Sequence, residues 1–146
     1  MGLDPDVWFS NVELAAGKLI GLEKVLASHP ARGRYGIGHT RWATHGKPSE
    51  TNAHPHLVDG VAVVHNGILE NYAALRAELL AAGVELSSDT DTELIAQLIG
   101  REHGSLDQRV LAIRPRLVGQ YAVVAVSRND PDLIVAFGVL AAVWPP

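Results

Sequence analysis

Cysteine is absent from this chain of 146 residues. The absence excludes a disulfide framework, a thiolate metal site and a cysteine nucleophile supplied by this sequence. A Gly-x-Ser-x-Gly elbow is also missing, so the sequence gives little support for a hydrolase of the Ser/His/Asp type.

Positive charge is not in excess either. The chain holds 12 Lys and Arg against 16 Asp and Glu, for a formal net charge of −4. Nucleic-acid-binding domains usually carry a basic face, so no nucleic-acid partner is predicted.

Long apolar runs are lacking as well. The first residues include Asp4, Asp6 and Glu13, whereas a signal peptide has a basic region followed by an apolar one. The longest apolar runs have the length of a strand, not of a membrane span. We therefore expect a cytoplasmic protein that does not associate with a membrane.

The residues that are present have the composition of one globular domain. Hydrophobic residues make up 47% of the chain and charged residues 19%, which is typical of folded and not of disordered proteins. The length allows one domain with a core and is too short for two of ordinary size.

Apolar periodicity and capping signals predict a mixture of helices and strands. Helices are predicted from Gly17 to His29, from Leu69 to Gly83, after the capping-box pair Thr90 and Glu93, and after the pair Ser105 and Gln108. Strands are predicted at Tyr35–Thr40 and Val61–His65, and as a hairpin at Tyr121–Val126 and Leu133–Phe137.

Three polar stretches lie at the ends of these apolar elements: His39–Gly46, His65–Gly67 and Ser87–Asp91. Their positions suggest one site. Arg41, at the end of the first predicted strand, can offer its planar guanidinium to a carboxylate. On the sequence alone, an ordinary surface arginine in a salt bridge is the favoured interpretation.

Asn66 and Gly67 directly follow the apolar run that begins at Val61. The asparagine amide and the glycine N–H are donors of the kind that stabilise a developing oxyanion. Asn-Gly is also a strong signal for a hairpin turn, but a helical pattern follows here, which weakens that alternative.

Asp91 lies in the first turn of a predicted helix, where the helix macrodipole favours a carboxylate for structural reasons alone. It can equally accept hydrogen bonds from an ammonium group, and its spacing favours neither interpretation. Four histidines, His45, His54, His56 and His65, raise the question of a metal. Without a cysteine, a histidine pair at helical spacing or a clear carboxylate ligand, a metal site is weakly supported.

These segments resemble the glutaminase domain of class II glutamine amidotransferases, most closely the glucosamine-6-phosphate synthase (glutamine–fructose-6-phosphate aminotransferase) branch. The resemblance is carried by GIGHTRWATHGKPSETNAHPH, VVHNGILENY and SSDTDTELIAQLI. It implies an α+β fold of the N-terminal-nucleophile hydrolase type, a four-layer αββα sandwich of two antiparallel sheets. The amidophosphoribosyltransferase branch is the alternative, since it shares the His-Thr-Arg and His-Asn-Gly elements.

The resemblance also implies a role for each matching residue. Arg41 would bind the α-carboxylate of L-glutamine and Asp91 its α-amino group. Asn66 and Gly67 would form the oxyanion hole. The substrate pocket would be lined by Trp42, Thr44 and His45. No cofactor and no metal are expected.

The nucleophile of this family is an N-terminal cysteine, which this chain lacks. The resemblance runs from about residue 17 to 135, and residues 138–146 diverge from it. We therefore expect an incomplete, truncated glutaminase domain over residues 1–146 that does not turn over glutamine by itself. The alternative is a non-catalytic binding fragment. Missing strands would expose sheet edges, so self-association or a completing chain is also expected.

Overall fold

The computed structural model describes residues 19–30, 36–39, 49 and 51–139, without the side chains of residues 19 and 22. Within these ranges, the last three helices pack against one face of a four-stranded antiparallel sheet. The helices are α1 (Leu19–Ser28), α2 (Tyr72–Ala81), α3 (Asp91–Arg101) and α4 (Leu106–Ile113). The strands are β1 (His56–Val58), β2 (Val61–Leu69), β3 (Gly119–Ser127) and β4 (Asp130–Val139).

The four strands pair in chain order, and each pair is antiparallel. β2 and β3 pair along their full length, from Val61 opposite Ser127 to Leu69 opposite Gly119. The long segment between β2 and β3 forms α2, α3 and α4, and these helices cover the sheet. Of these helices, α3 packs on β1 and β2.

Strand alternation gives β2 two chemically different faces. Val61 and Val63 belong to the core that includes the helices, so His65, two residues further on, lies on that same face. Ala62, Val64 and Asn66 therefore lie on the opposite face of the sheet.

The core is built mainly from α3, α4 and the helix-facing residues of β2 and β3. α3 is buried over most of its circumference, as expected for a helix between the sheet and its neighbouring helices. The largest fully buried side chains include Tyr121, Leu69, Leu94, Ile95, Ile99, Leu106 and Ile113. Tyr121 also stacks edge-to-face on Phe137, with ring centroids 6.1 Å apart.

Most predicted elements are confirmed. The first helix, the helices that begin after Thr90 and Ser105, and the β3–β4 hairpin are all present. Ser105 donates its backbone N–H to Gln108 Oε1 at 3.2 Å, as a capping box requires.

One predicted boundary and one predicted strand are wrong. Leu69 is the last residue of β2 and not the start of a helix, because β2 keeps pairing with β3 through Asn66 and Gly67. The strand predicted at Tyr35–Thr40 is not formed at residues 36–39, which have irregular backbone. A strand needs a hydrogen-bonded neighbour, and none of the four described strands pairs with these residues.

The predicted α+β class is confirmed. The described residues form one of the two expected sheets and one helical layer. Among the helices described, none is both long and apolar enough to cross a membrane.

Candidate functional site

Buried polar side chains gather where the N-terminus of α3 meets the end of β2. Such groups are costly to bury unless they are hydrogen-bonded, so their concentration at one point marks a candidate site. We call this group the cap cluster. Its buried members are His54, His56, His65, Ser88, Thr90, Asp91, Thr92 and Glu93, and the exposed Ser87 joins it through hydrogen bonds to Glu93.

Asp91 is the first residue of α3 and is only 4% exposed. Its Oδ2 accepts the backbone N–H of Leu69 at 3.1 Å, and its Oδ1 lies 3.4 Å from Nδ1 of His65. The carboxylate is therefore held against β2 by contacts to both of its oxygens. The positive end of the α3 macrodipole favours its charge.

Glu93, in the first turn of the same helix, anchors the loop that precedes the helix. It accepts four hydrogen bonds, from the backbone N–H and the hydroxyl of Ser87 and of Ser88, at 2.7–2.8 Å. Burial by itself raises the pKa of this carboxyl group, but the serine hydrogen bonds outweigh that effect and hold the pKa of Glu93 below its ordinary value of 4.5. Glu93 was predicted to bond back to Thr90 in a capping box; instead only the Thr90 side chain caps, accepting from the Glu93 N–H at 3.3 Å.

We expect Glu93→Gln to lower the free energy of unfolding by about 2 kcal/mol at neutral pH, because a buried amide N–H₂ would face donors. The lowered pKa means that this stabilisation is fully present above pH 4.5 and is lost as the pH falls through the folded-state pKa. Urea unfolding at neutral pH and at about pH 3.5 should therefore show the difference between wild type and variant shrinking in acid. Glu85→Gln, at an exposed position, is the matched control and should show no such difference.

Threonines of α3 join histidines of the β1 region to the same cluster. Thr90 Oγ1 lies 2.8 Å from Nε2 of His56, and Thr92 Oγ1 lies 2.8 Å from Nε2 of His54. Thr92 Oγ1 also lies 3.1 Å from Nδ1 of His65. A threonine hydroxyl thus contacts one ring nitrogen of each of these histidines, and within the described ranges no group of three metal-ligating side chains forms.

Asn66 and Gly67 lie in β2 next to this cluster. Asn66 is exposed, on the sheet face opposite His65, and within the described part of the chain its amide makes no hydrogen bond to another side chain. Gly67 has a φ of +130°, far from ordinary β geometry. An alanine Cβ at this position would lie 2.2 Å from the carbonyl oxygen of Gln120, so β2 and β3 approach too closely there for a side chain.

The structure brings Asp91 to the end of β2, the strand that carries Asn66 and Gly67. The other four predicted site residues, Arg41, Trp42, Thr44 and His45, lie outside the described residues. The sequence assigned no role in the site to His54, His65, Thr92 or Glu93, although His65 begins one of the three polar stretches. The position of His65 directly before Asn66, at the end of an apolar run, was the one signal that pointed to it.

The sequence of the chain is similar to known proteins of one domain family. The sequence profile of the glutamine amidotransferase domain matches residues 39–140. The glutamine–fructose-6-phosphate aminotransferase of Mesorhizobium japonicum is 54% identical over 124 residues, covering 83% of this chain and 20% of that protein. The Streptomyces coelicolor enzyme of the same name is 52% identical over 126 residues, covering 82% of this chain and 20% of that protein.

Two solved structures share the fold. One is the glutamine phosphoribosylpyrophosphate amidotransferase from B. subtilis, with a TM-score of 0.53, 30% identity, and coverage of 62% of this chain and 20% of that one. The other, an allosteric regulatory enzyme of purine biosynthesis, has a TM-score of 0.56, 31% identity, and coverage of 62% and 21%. The chain spans about a fifth of the length of these curated and structural relatives.

Proposed function

Because the chain belongs to the glutamine amidotransferase domain family, we propose that it carries the part of a glutaminase domain that recognises L-glutamine. The chain is homologous to the glutaminase region of glutamine–fructose-6-phosphate aminotransferases. The described residues form part of an N-terminal-nucleophile hydrolase fold.

The observation that carries this proposal is the fixed carboxylate of Asp91. It is buried, held at both oxygens and placed at the end of the strand that bears Asn66 and Gly67. A carboxylate in a site shielded from water binds an ammonium group far more strongly than an exposed one does. Asp91 therefore suits the α-amino group of an amino acid.

The α-carboxylate of the same substrate requires a cation, and we assign this role to Arg41. A guanidinium donates two parallel hydrogen bonds to a carboxylate, which fixes the orientation of the substrate as well as its charge. Arg41 and Asp91 together would recognise the zwitterion. Trp42, Thr44 and His45 would complete the pocket around the side chain of glutamine.

The amide carbon of glutamine would then lie near Asn66 and Gly67. The exposed Asn66 side-chain amide can donate, and the Gly67 backbone N–H is the second donor that an oxyanion hole needs. In a complete domain these two groups would stabilise the tetrahedral intermediate of amide hydrolysis. The products would be glutamate and ammonia.

Of the two family branches, the sugar aminotransferases are the better supported. The Mesorhizobium japonicum and Streptomyces coelicolor relatives of that name are 54% and 52% identical to the chain. The two amidotransferase structures are 30% and 31% identical. We therefore propose that the ammonia released by the whole protein serves the synthesis of glucosamine 6-phosphate.

We expect the isolated chain to bind L-glutamine without hydrolysing it, because the sequence contains no cysteine to attack the amide. The test is to incubate the purified chain with L-glutamine and to assay glutamate and ammonia in the same samples. Neither product should exceed the buffer blank. A glutaminase rate that Arg41→Lys abolishes would contradict this expectation, and it would identify a nucleophile other than cysteine.

A further inference from the structure

His65 is buried among the groups that hold Asp91, but the roles assigned above do not use it. It is 3% exposed and lies on the helix-facing side of β2. Its Nδ1 faces two oxygens, Thr92 Oγ1 at 3.1 Å and Asp91 Oδ1 at 3.4 Å. Its Nε2 is buried and has no hydrogen-bond partner among the described residues.

These contacts determine which nitrogen of His65 carries the proton. A carboxylate oxygen can only accept, so a lone pair on Nδ1 would face a lone pair on Asp91 Oδ1. The proton would then be on Nε2, and the repulsion between the two lone pairs would remain. A proton on Nδ1 replaces this repulsion with an attractive contact and leaves an unused lone pair on Nε2.

The hydroxyl of Thr92 links the hydrogen bond from His65 to a second histidine. If it accepts from Nδ1 of His65, its own hydrogen must go elsewhere, and its other contact is Nε2 of His54 at 2.8 Å. The donors then run in one direction, from His65 to Thr92 to His54. Hydrogen bonds that point the same way along a chain reinforce one another.

His56 provides an internal contrast. Ser88 donates its hydroxyl hydrogen to Glu93 Oε2 at 2.7 Å, so Thr90 must donate to Ser88 Oγ across their 3.0 Å contact. Thr90 Oγ1 can then only accept from Nε2 of His56, 2.8 Å away. His56 is thus protonated on Nε2, whereas His65 is protonated on Nδ1.

We propose that His65 is a positioning residue for Asp91, held as the Nδ1–H tautomer by Thr92 so that its N–H faces Oδ1 of the carboxylate at 3.4 Å. The Leu69 N–H donates to the other oxygen, and the longer polar contact with His65 helps to orient the carboxylate. The link to substrate rests on the function proposed above, in which Asp91 receives the α-ammonium of glutamine. The donor arrangement itself does not depend on glutamine.

Two substitutions at position 65 separate a positioning role from simple packing. In His65→Asn the amide N–H₂ takes the place of Nδ1, and in His65→Gln it takes the place of Nε2. We expect His65→Asn to keep the glutamine affinity within about threefold and His65→Gln to lower it about tenfold or more, since the N–H that faces the Asp91 carboxylate is lost. Thr92→Ser and Thr92→Val form a second pair, with the hydroxyl kept or removed at nearly constant size.

The experiment combines nitrogen-15 NMR of the histidine rings, carbon-13 NMR of the Asp91 carboxyl group and titration with L-glutamine. We expect the proton on Nδ1 in His65 and on Nε2 in His56. The Asp91 carboxyl resonance should move in His65→Gln and Thr92→Val, and it should stay near its wild-type position in His65→Asn and Thr92→Ser.

A proton on Nε2 of His65, or the same Asp91 resonance in both members of each pair, would overturn the positioning role whether or not glutamine binds. Equal glutamine affinity of His65→Asn and His65→Gln would overturn its link to substrate. If the wild type bound no glutamine while the tautomers were as expected, the proposed function would fail and the placement of Asp91 by His65 would stand.

Discussion

Gly67→Ala is expected to lower the free energy of unfolding by about 3–5 kcal/mol, a large change for a single added methyl group. The φ of Gly67 is +130°, a conformation that L side chains rarely adopt. The added Cβ would also lie 2.2 Å from the Gln120 carbonyl oxygen and 2.7 Å from the Tyr121 Cα. Both obstacles are backbone atoms of β3, so relief would require the β2–β3 pairing to open.

Gly83→Ala is the matched control for this prediction. Gly83 also has a positive φ, +77°, but an added Cβ would meet no atom within 4 Å. The control therefore measures backbone strain alone, worth about 1–2 kcal/mol. Urea unfolding of both variants gives the comparison, and equal losses of stability would show that β2 and β3 do not approach as closely as described.

Asp91→Asn is expected to weaken L-glutamine binding by about a hundredfold or more, because a neutral amide cannot balance the α-ammonium group in a buried site. Calorimetric titration with L-glutamine measures the change. The substitution also turns one acceptor of Asp91 into a donor facing the N–H of Leu69 or His65, so the thermal unfolding of the variant must be recorded alongside.

Asp89→Asn controls for the change in charge. Asp89 is exposed and lies in the loop just before α3. Its backbone N–H donates to Asn52 Oδ1 at 3.0 Å. The same loss of one negative charge near the same helix end should leave glutamine affinity unchanged. If Asp89→Asn and Asp91→Asn weakened binding equally, general electrostatic attraction and not a specific contact would explain the effect.

The sequence predicted the elements of this fold better than their ends. Strand β2 shows why: the polar residues after Val64 look like the end of a strand, but pairing with β3 continues to Leu69 opposite Gly119. That pairing joins residues some fifty positions apart in the chain, and no local pattern contains it. The strand predicted at Tyr35–Thr40 shows the opposite case. Residues 36–39 form no strand, and none of the four described strands pairs with them.

The candidate site shows the same limit. The spacing of Asp91 did not distinguish a helix-capping carboxylate from a substrate ligand, and it could not show that the carboxylate contacts His65 and the Leu69 N–H, which belong to a different element. Glu93 fitted a capping-box pattern, but its carboxylate bonds to Ser87 and Ser88, which offer four donors at once. Side-chain partners of this kind depend on tertiary contacts.

The most direct test of the central claim, that Asp91 recognises the α-amino group of glutamine, compares two ligands on two proteins. The ligands are L-glutamine and 4-carbamoylbutanoate, which is the same molecule without the amino group, and the proteins are the wild type and Asp91→Asn. We predict that the wild type prefers L-glutamine about a hundredfold and that Asp91→Asn binds both ligands alike. A wild type that binds the two ligands equally, or that does not bind L-glutamine at all, would contradict the claim.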